Sequence, residues 1–240
     1  MERQLIIDTR QEAYGSFFTD NFAREAFSAS DSAPLLKEPI FDLIADWRSA
    51  SYAGALPAQI PGSIKQFHDA FVNLETTASV KQEIDGENIW QQYLSLHPFH
   101  VGLHGTMRLV YLAVYGAYEN FLVRSLSIAH NGKPIRVTSS DFKKDFRDKL
   151  GVLIDDAWFA EDIRIARLVR HSLMHAGGRV TDDLRRCKIP LVVHNDFLNV
   201  FPEHVFALYN ALKVPALAVM QAVPFCSKDS EPADARESPS

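Results

Sequence analysis

The chain has 240 residues, 47% of them hydrophobic, enough to bury the core of one domain with or without an accessory piece. Its net charge is -5 and its pI about 6.0, which argues against a globally basic nucleic-acid binder and leaves any RNA contact to a local basic patch. Two cysteines, Cys187 and Cys226, form no CxxC pair and cannot make a disulfide framework, so a reducing compartment, the cytoplasm, is expected. Residues 1–10 carry no basic region followed by an apolar run, so no secretory signal is expected. The longest apolar stretch, residues 205–223, is interrupted by Asn210, Lys213 and Pro215 and makes a poor membrane span.

In chain order, Phe17, Phe18, Phe22 and Phe27 recur at roughly helical spacing and predict a helix within residues 1–30. Residues 28–39, rich in Ser, Asp and Pro, read as a loop, and residues 40–47 as a short amphipathic helix. Gly54, Pro57, Pro61 and Gly62 make residues 49–62 the best internal boundary. Ser63 would then cap a helix to about residue 80, with Ile64, Phe67, Phe71 and Leu74 on one stripe. Asp85-Gly86 marks a turn, residues 89–96 another short helix, and Pro98 the opening of the next element.

Residues 107–129 form the strongest helical pattern, its broad apolar face made by Val110, Tyr111, Val114, Tyr115, Tyr118, Phe121 and Leu122. Asn131-Gly132-Lys133-Pro134 stops it. A helix over residues 141–150 follows, capped by Ser139 or Ser140, with Phe142 and Phe146 four apart. The next helix starts at Asp155 or Asp156 and runs to about Ala176, ended by Gly177-Gly178. Residues 189–193 are the one plausible strand. The last segment begins at Asn195 or Asp196 and holds a helix over residues 202–223, with Pro215 as its expected kink. Residues 224–240 read as a disordered tail. The expected fold class is therefore all-α, with at most one short β element.

The helix ending at Gly177 carries the candidate chemistry. Phe159, Ile163, Ala166, Arg170, Leu173 and Gly177 fall at steps of three or four, which places Arg170 in an apolar stripe. A buried guanidinium needs an acceptor or an interface, and Glu119, on the apolar helix over residues 107–129, is the candidate partner. A second stripe, Arg164, Arg167, His171 and His175, makes a local basic, imidazole-bearing edge. Arg170 and His175 are five residues apart, about 140° of rotation and about 7.5 Å of rise. One helix thus makes a poor two-residue site, whereas two such helices about a two-fold axis would gather both Arg and both His around one cleft.

Arg170-His171-Ser172-Leu173-Met174-His175 resembles the R-x4-H motif of the HEPN superfamily, an Arg followed after a few residues by a His near a helix end. The exit Ala176-Gly177-Gly178-Arg179-Val180 resembles that of the RiboL-PSP-HEPN-like branch. The run from Tyr115 to Leu122 is similar to that branch's preceding long helix, and Asp141-Phe142-Lys143-Lys144 to the opening of the helix between. The likeness spans roughly residues 63–223, leaving residues 1–62 as an N-terminal helical extension.

The resemblance implies a HEPN-like helical bundle and a metal-independent endoribonuclease, with no cofactor and no bound metal. Cleavage would proceed by attack of the ribose 2′-OH on phosphorus, with His175 as base or acid and Arg170 as the phosphate clamp. His171, Arg167 and Glu119 are accessory. The implied partners are RNA, a second copy of the chain joined through the motif helix, and an antitoxin or defence-system partner, since a toxin or antiviral effector is the expected setting. The bland readings remain beside these: Arg170 as a structural arginine on Glu119, and His175 as a helix-end His favourable to the dipole. A non-catalytic HEPN-like RNA-binding or scaffold module is the alternative, and the acidic net charge favours it.

Other constellations carry less. His171 and His175 are four apart, a metal-ligand spacing, but no Glu follows His171 as HExxH requires. His97, His100 and His104 invite a zinc reading, against which stand the lack of nearby Cys and the interruptions at Pro98 and Gly102. The basic neighbours of Cys187 form no nucleophile elbow, and no GxxxxGK[ST] or GxGxxG loop occurs.

Overall fold

The computed structural model describes residues 20–75, 97–137 and 142–222, and within them the fold is all-α apart from one two-stranded hairpin. In order come α1 (Asp20–Ser32), a 3-10 turn (Pro34–Leu36), α2 (Lys37–Glu75), α3 (His97–Ala129) and α4 (Phe142–Leu150). A π-helical turn (Asp155–Phe159), α5 (Glu161–His175) and the one-turn α6 (Asp182–Arg185) follow. β1 (Val192–His194), β2 (Phe197–Asn199) and α7 (Pro202–Met220) complete the order.

α3 is the axis of the bundle and packs against α2, α4, α5 and α7. Its buried residues, among them Met107, Val110, Tyr111, Val114, Tyr115, Tyr118, Phe121 and Leu122, repeat in steps of three and four on two adjoining stripes. A helix apolar around so much of its circumference must be covered on several sides. It begins about ten residues before the predicted start, with Pro98 at its opening, where a missing N–H costs nothing. It ends as its sequence demands. Asn131 (φ 56°) and Gly132 (φ 82°) are left-handed, and the amides of Asn131 and Gly132 donate to the carbonyls of Ile128 (3.0 Å) and Ser127 (2.8 Å).

The N-terminal elements share this core. Trp47 Nε1 donates to the Val114 carbonyl at 2.9 Å, and Trp47 packs against Phe22 of α1 and Tyr209 of α7, ring centroids 5.0 and 5.1 Å away. α2 differs from expectation. Residues 28–39 are not a loop but the end of α1, the 3-10 turn and the start of α2, and residues 49–62 are not a break. The expected boundary between residues 62 and 63, with its Ser63 cap, falls inside one continuous helix. Tertiary packing overrides the local preference here: Ala50 and Gly54 are buried, and a Cβ at Gly54 would lie 3.6 Å from the Val110 side chain. The expected turn at Asp85-Gly86, the helix over residues 89–96 and the tail lie outside the described residues.

The second half also departs from the sequence reading in three places. The motif helix starts at Glu161 rather than at Asp155 or Asp156. Ala160 is extended (φ −48°, ψ 137°), and the carbonyls just before it are taken by side chains, Ala157's by the Tyr118 hydroxyl at 2.7 Å and Trp158's by Arg167 Nη1 at 3.1 Å. The predicted strand is the first arm of an antiparallel hairpin pairing Val192 with Asn199 and His194 with Phe197. Asn195 and Asp196 do not begin the last segment. They are the hairpin turn, both at positive φ (48° and 71°), as a two-residue turn of this hand requires. α7 keeps Pro215 within it and ends at Met220. Among the described residues, no helix is long and apolar enough to cross a membrane.

Candidate functional site

α5 lies against α3 and α7. Its buried residues are Ile163, Ile165, Ala166, Val169 and Ser172, so the apolar stripe is centred one step away from the predicted one. Arg170 and Leu173 sit at its edge, half-buried. The difference matters chemically, because an edge arginine reaches both a buried acceptor and the solvent. Arg170 Nη2 is 3.5 Å from Glu119 Oε1 on α3, with the Arg side chain 30% and the Glu side chain 15% exposed. That separation exceeds a charge-assisted hydrogen bond, so the carboxylate anchors the guanidinium without consuming its donor fork.

His171 and His175 stand one turn apart on the outer face of α5, both exposed. Their ring centroids are 4.9 Å apart with an interplanar angle of 48°. The structure thus sets His175 beside His171, while Arg170 turns towards α3. Arg167, on the same helix, is more committed than expected. Its guanidinium lies 4.3 Å over the Trp158 ring and donates to the Trp158 carbonyl. Arg164 makes two 2.7 Å bonds to the Glu161 carboxylate and reaches Cys187 Sγ at 3.2 Å. This contact with Glu161 lowers the carboxyl's pKa. The basic edge is therefore real, but its first two cations are occupied and its last two members are the free imidazoles.

Three contributors escaped the sequence reading. Tyr115 is fully buried on α3, its hydroxyl close to Arg167, Arg170 and Glu119. Burial raises its pKa, Arg167 and Arg170 lowering it and Glu119 adding to the rise. Ser172 is fully buried, and its hydroxyl donates to the Arg179 carbonyl. The amides of Ala176 and Gly178 both donate to the Ser172 carbonyl, at 3.0 and 2.9 Å. Arg108 of α3 donates from Nη2 to the Leu198 carbonyl at 3.0 Å and lies against Gly178. Leu198 N in turn donates to the Gly178 carbonyl at 2.8 Å. The segment after His175 is thereby tied to the hairpin and to α3. A polar Ser inside the motif's apolar side was the visible signal for the first of these ties, whereas nothing local marks Arg108.

The other constellations are described only in part. His104 packs its ring on Phe201, centroids 5.1 Å apart, and the side chains of His97 and His100 lie outside the described set. Among the described residues, no group of three or more His, Cys, Asp or Glu is placed to hold a metal ion. Cys187 is a free thiol, half-buried, donating to the Asp183 carbonyl at 3.1 Å. No family model, no curated protein and no solved structure matches the chain.

Proposed function

We propose that the chain is a HEPN-type, metal-independent endoribonuclease whose site is built on the last two turns of α5. The observation that supports this reading is an anchored, part-exposed guanidinium at Arg170 followed on the same two turns of α5 by two exposed imidazoles, His171 next to it in sequence and His175 one turn beyond. Arg170 would hold a non-bridging phosphate oxygen, its position set by Glu119. His175, neutral, would take the proton of a ribose 2′-OH as that oxygen attacks phosphorus. The P–O5′ bond then breaks, and the departing 5′ oxygen takes a proton from a second imidazole, His171 or the His175 of a second copy. The products are a 2′,3′-cyclic phosphate and a 5′-hydroxyl. DNA, lacking the nucleophile, is spared.

A homodimer through α5 would place two copies of each group around one cleft. Met174, exposed on α5, supplies apolar surface for it. Such a nuclease suits a toxin or antiviral effector restrained by an antitoxin or defence-system partner. The net charge of -5 favours a second reading, a non-catalytic RNA-binding or scaffold module. One experiment separates them: purified protein incubated with RNA in EDTA, beside His175→Ala. Cleavage by the parent alone supports the nuclease. RNA left intact by both overturns it in favour of the scaffold.

A further inference from the structure

We infer that His171 and His175 together form a binding site for a borderline transition-metal cation, Zn²⁺ or Cu²⁺, and that such an ion silences the site rather than serving it. The binding half of this inference stands on geometry alone; the silencing half rests on the nuclease reading above.

Residues four apart on a helix present their side chains to the same side, and both of these rings are free of the protein interior. Two imidazoles holding one tetrahedral zinc at about 2.0–2.1 Å per bond have ring centroids about 5 Å apart. His171 and His175 stand at 4.9 Å with their rings tilted by 48° rather than stacked flat. The pair is therefore close to the spacing a shared ion demands before any ion arrives.

Local charge permits this. Arg170, one residue before His171, is offset by Glu119 at 3.5 Å, and Arg164, two turns back, by Glu161 at 2.7 Å, while Arg167, one turn back, holds its guanidinium on the Trp158 ring and carbonyl. Two nitrogen ligands leave the remaining positions to water, phosphate or a second copy of the chain. Ligand softness selects the ion: imidazole suits Cu²⁺, Ni²⁺ and Zn²⁺, whereas Mg²⁺ and Ca²⁺ seek oxygen. An ion bonded through these nitrogens occupies the lone pair that His175 needs to accept the 2′-OH proton. The consequence is inhibition by a metal that the reaction itself does not require.

The test is calorimetric titration of Zn²⁺ and Cu²⁺ into the full chain after chelation and desalting, with His171→Ala, His175→Ala and His194→Ala beside it. Both site rings are exposed, so their removal leaves the helix packing intact. The expected result is saturable binding in the parent and in His194→Ala. Affinity should fall at least about tenfold in each of the other two variants, since even outer-sphere partners of a metal are commonly worth 10- to 100-fold. Cu²⁺ should bind more tightly than Zn²⁺. Electron paramagnetic resonance of the Cu²⁺-loaded parent, which needs no variant, should show two coordinated nitrogens. No binding in the parent, unchanged binding in His171→Ala, or equal binding of Mg²⁺ overturns the site. In the RNA assay Zn²⁺ should reduce cleavage in step with occupancy, and cleavage that persists at full occupancy overturns the silencing. If metal-free protein cleaves no RNA, the nuclease reading and the silencing fall together, while the binding result is still read from heat and spectrum.

Discussion

Glu119 Oε1 and Arg170 Nη2 meet at 3.5 Å across the α3–α5 contact, the acid 15% and the cation 30% exposed. The pair lies between the two familiar limits. Exposed ion pairs contribute about 0–1 kcal/mol, and removal of one partner of a buried pair costs about 3–5 kcal/mol. A loss of about 1–3 kcal/mol is therefore expected for Glu119→Gln. Arg170→Ala should lose a similar amount, because it leaves the Glu119 carboxylate without its cation. In a double-mutant cycle read by urea unfolding, the two losses should not add, since each already breaks the same contact. Additive losses would show that the 3.5 Å approach carries no coupling.

Gly178 offers a sharper structural test. At φ +84° any side chain is strained, and an added Cβ would lie 3.0 Å from Arg108 Nη2. Gly177 is also left-handed (φ +60°), but nothing lies within 4 Å of its Cβ position. Gly177→Ala should therefore cost only the conformational term, about 1–2 kcal/mol. Gly178→Ala should cost more, because Arg108 must give way and its bond to the Leu198 carbonyl goes with it. Equal destabilisation of the two variants in thermal unfolding would mean that Arg108 yields freely and does not fix the motif's exit.

These two contacts mark what the sequence could and could not tell. The Glu119–Arg170 pair was legible because opposite charges stood among apolar residues on two strongly periodic helices, and each needed the other. The Asn131-Gly132 stop was legible because it is local chemistry. The Arg108–Gly178 contact was not, since it joins residues far apart in sequence through a guanidinium that no periodicity marks. The continuity of α2 past Gly54, Pro57 and Pro61 was hidden for a related reason. Local preference argues for a break there, and only the packing of α2 on α3 opposes it. The centre of α5's buried stripe was misplaced by one step because Leu173, apolar by type, lies at the edge, while Ser172, polar by type, is buried with its hydroxyl bonded.

His204 predicts how stability follows pH. Its Nδ1 accepts from the Phe201 amide at 2.9 Å, closing the start of α7, and burial pushes its pKa below the ordinary 6.5, with Glu203 opposing. The folded state thus binds this proton less readily than the unfolded one. Its contribution is complete above the unfolded value of about 6.5. As pH falls below that, through the lowered folded value, stability should decline, since a protonated Nδ1 can no longer accept. His204→Gln, whose amide oxygen can take the same bond without titrating, should flatten this part of the profile. A slope unchanged by that substitution would assign the pH dependence to other groups.

A dimer through α5 predicts a mass of about two chains in light scattering at working concentrations. Met174→Glu should shift it towards one chain by setting a charge in the contact between copies. Met174 is 53% exposed, so the substitution should leave the monomer's own stability within about 0.5 kcal/mol. A single-chain mass for the parent at all concentrations would remove the two-fold cleft and require each site to work alone.

The last expectation concerns the motif itself, Arg170 and His175. Both alanine variants should lose RNA cleavage, but for different reasons and with different side effects. His175→Ala removes a proton-transfer group, commonly worth about 100- to 10,000-fold in rate. The ring is exposed and stands beside His171, so stability should move by no more than about 0.5 kcal/mol. Arg170→Ala removes donors to the developing phosphate charge, a loss on the scale of one transition-state donor, about 2.7–4 kcal/mol. It also leaves Glu119 unpaired beside the buried Tyr115, so this variant alone should unfold at lower urea. Arg170→Lys separates the two roles: a lysine can restore charge to Glu119 but lacks the planar fork that grips a phosphate. It should therefore recover most of the stability and little of the rate. Recovery of rate along with stability would show that positive charge, and not the planar fork, is what Arg170 supplies.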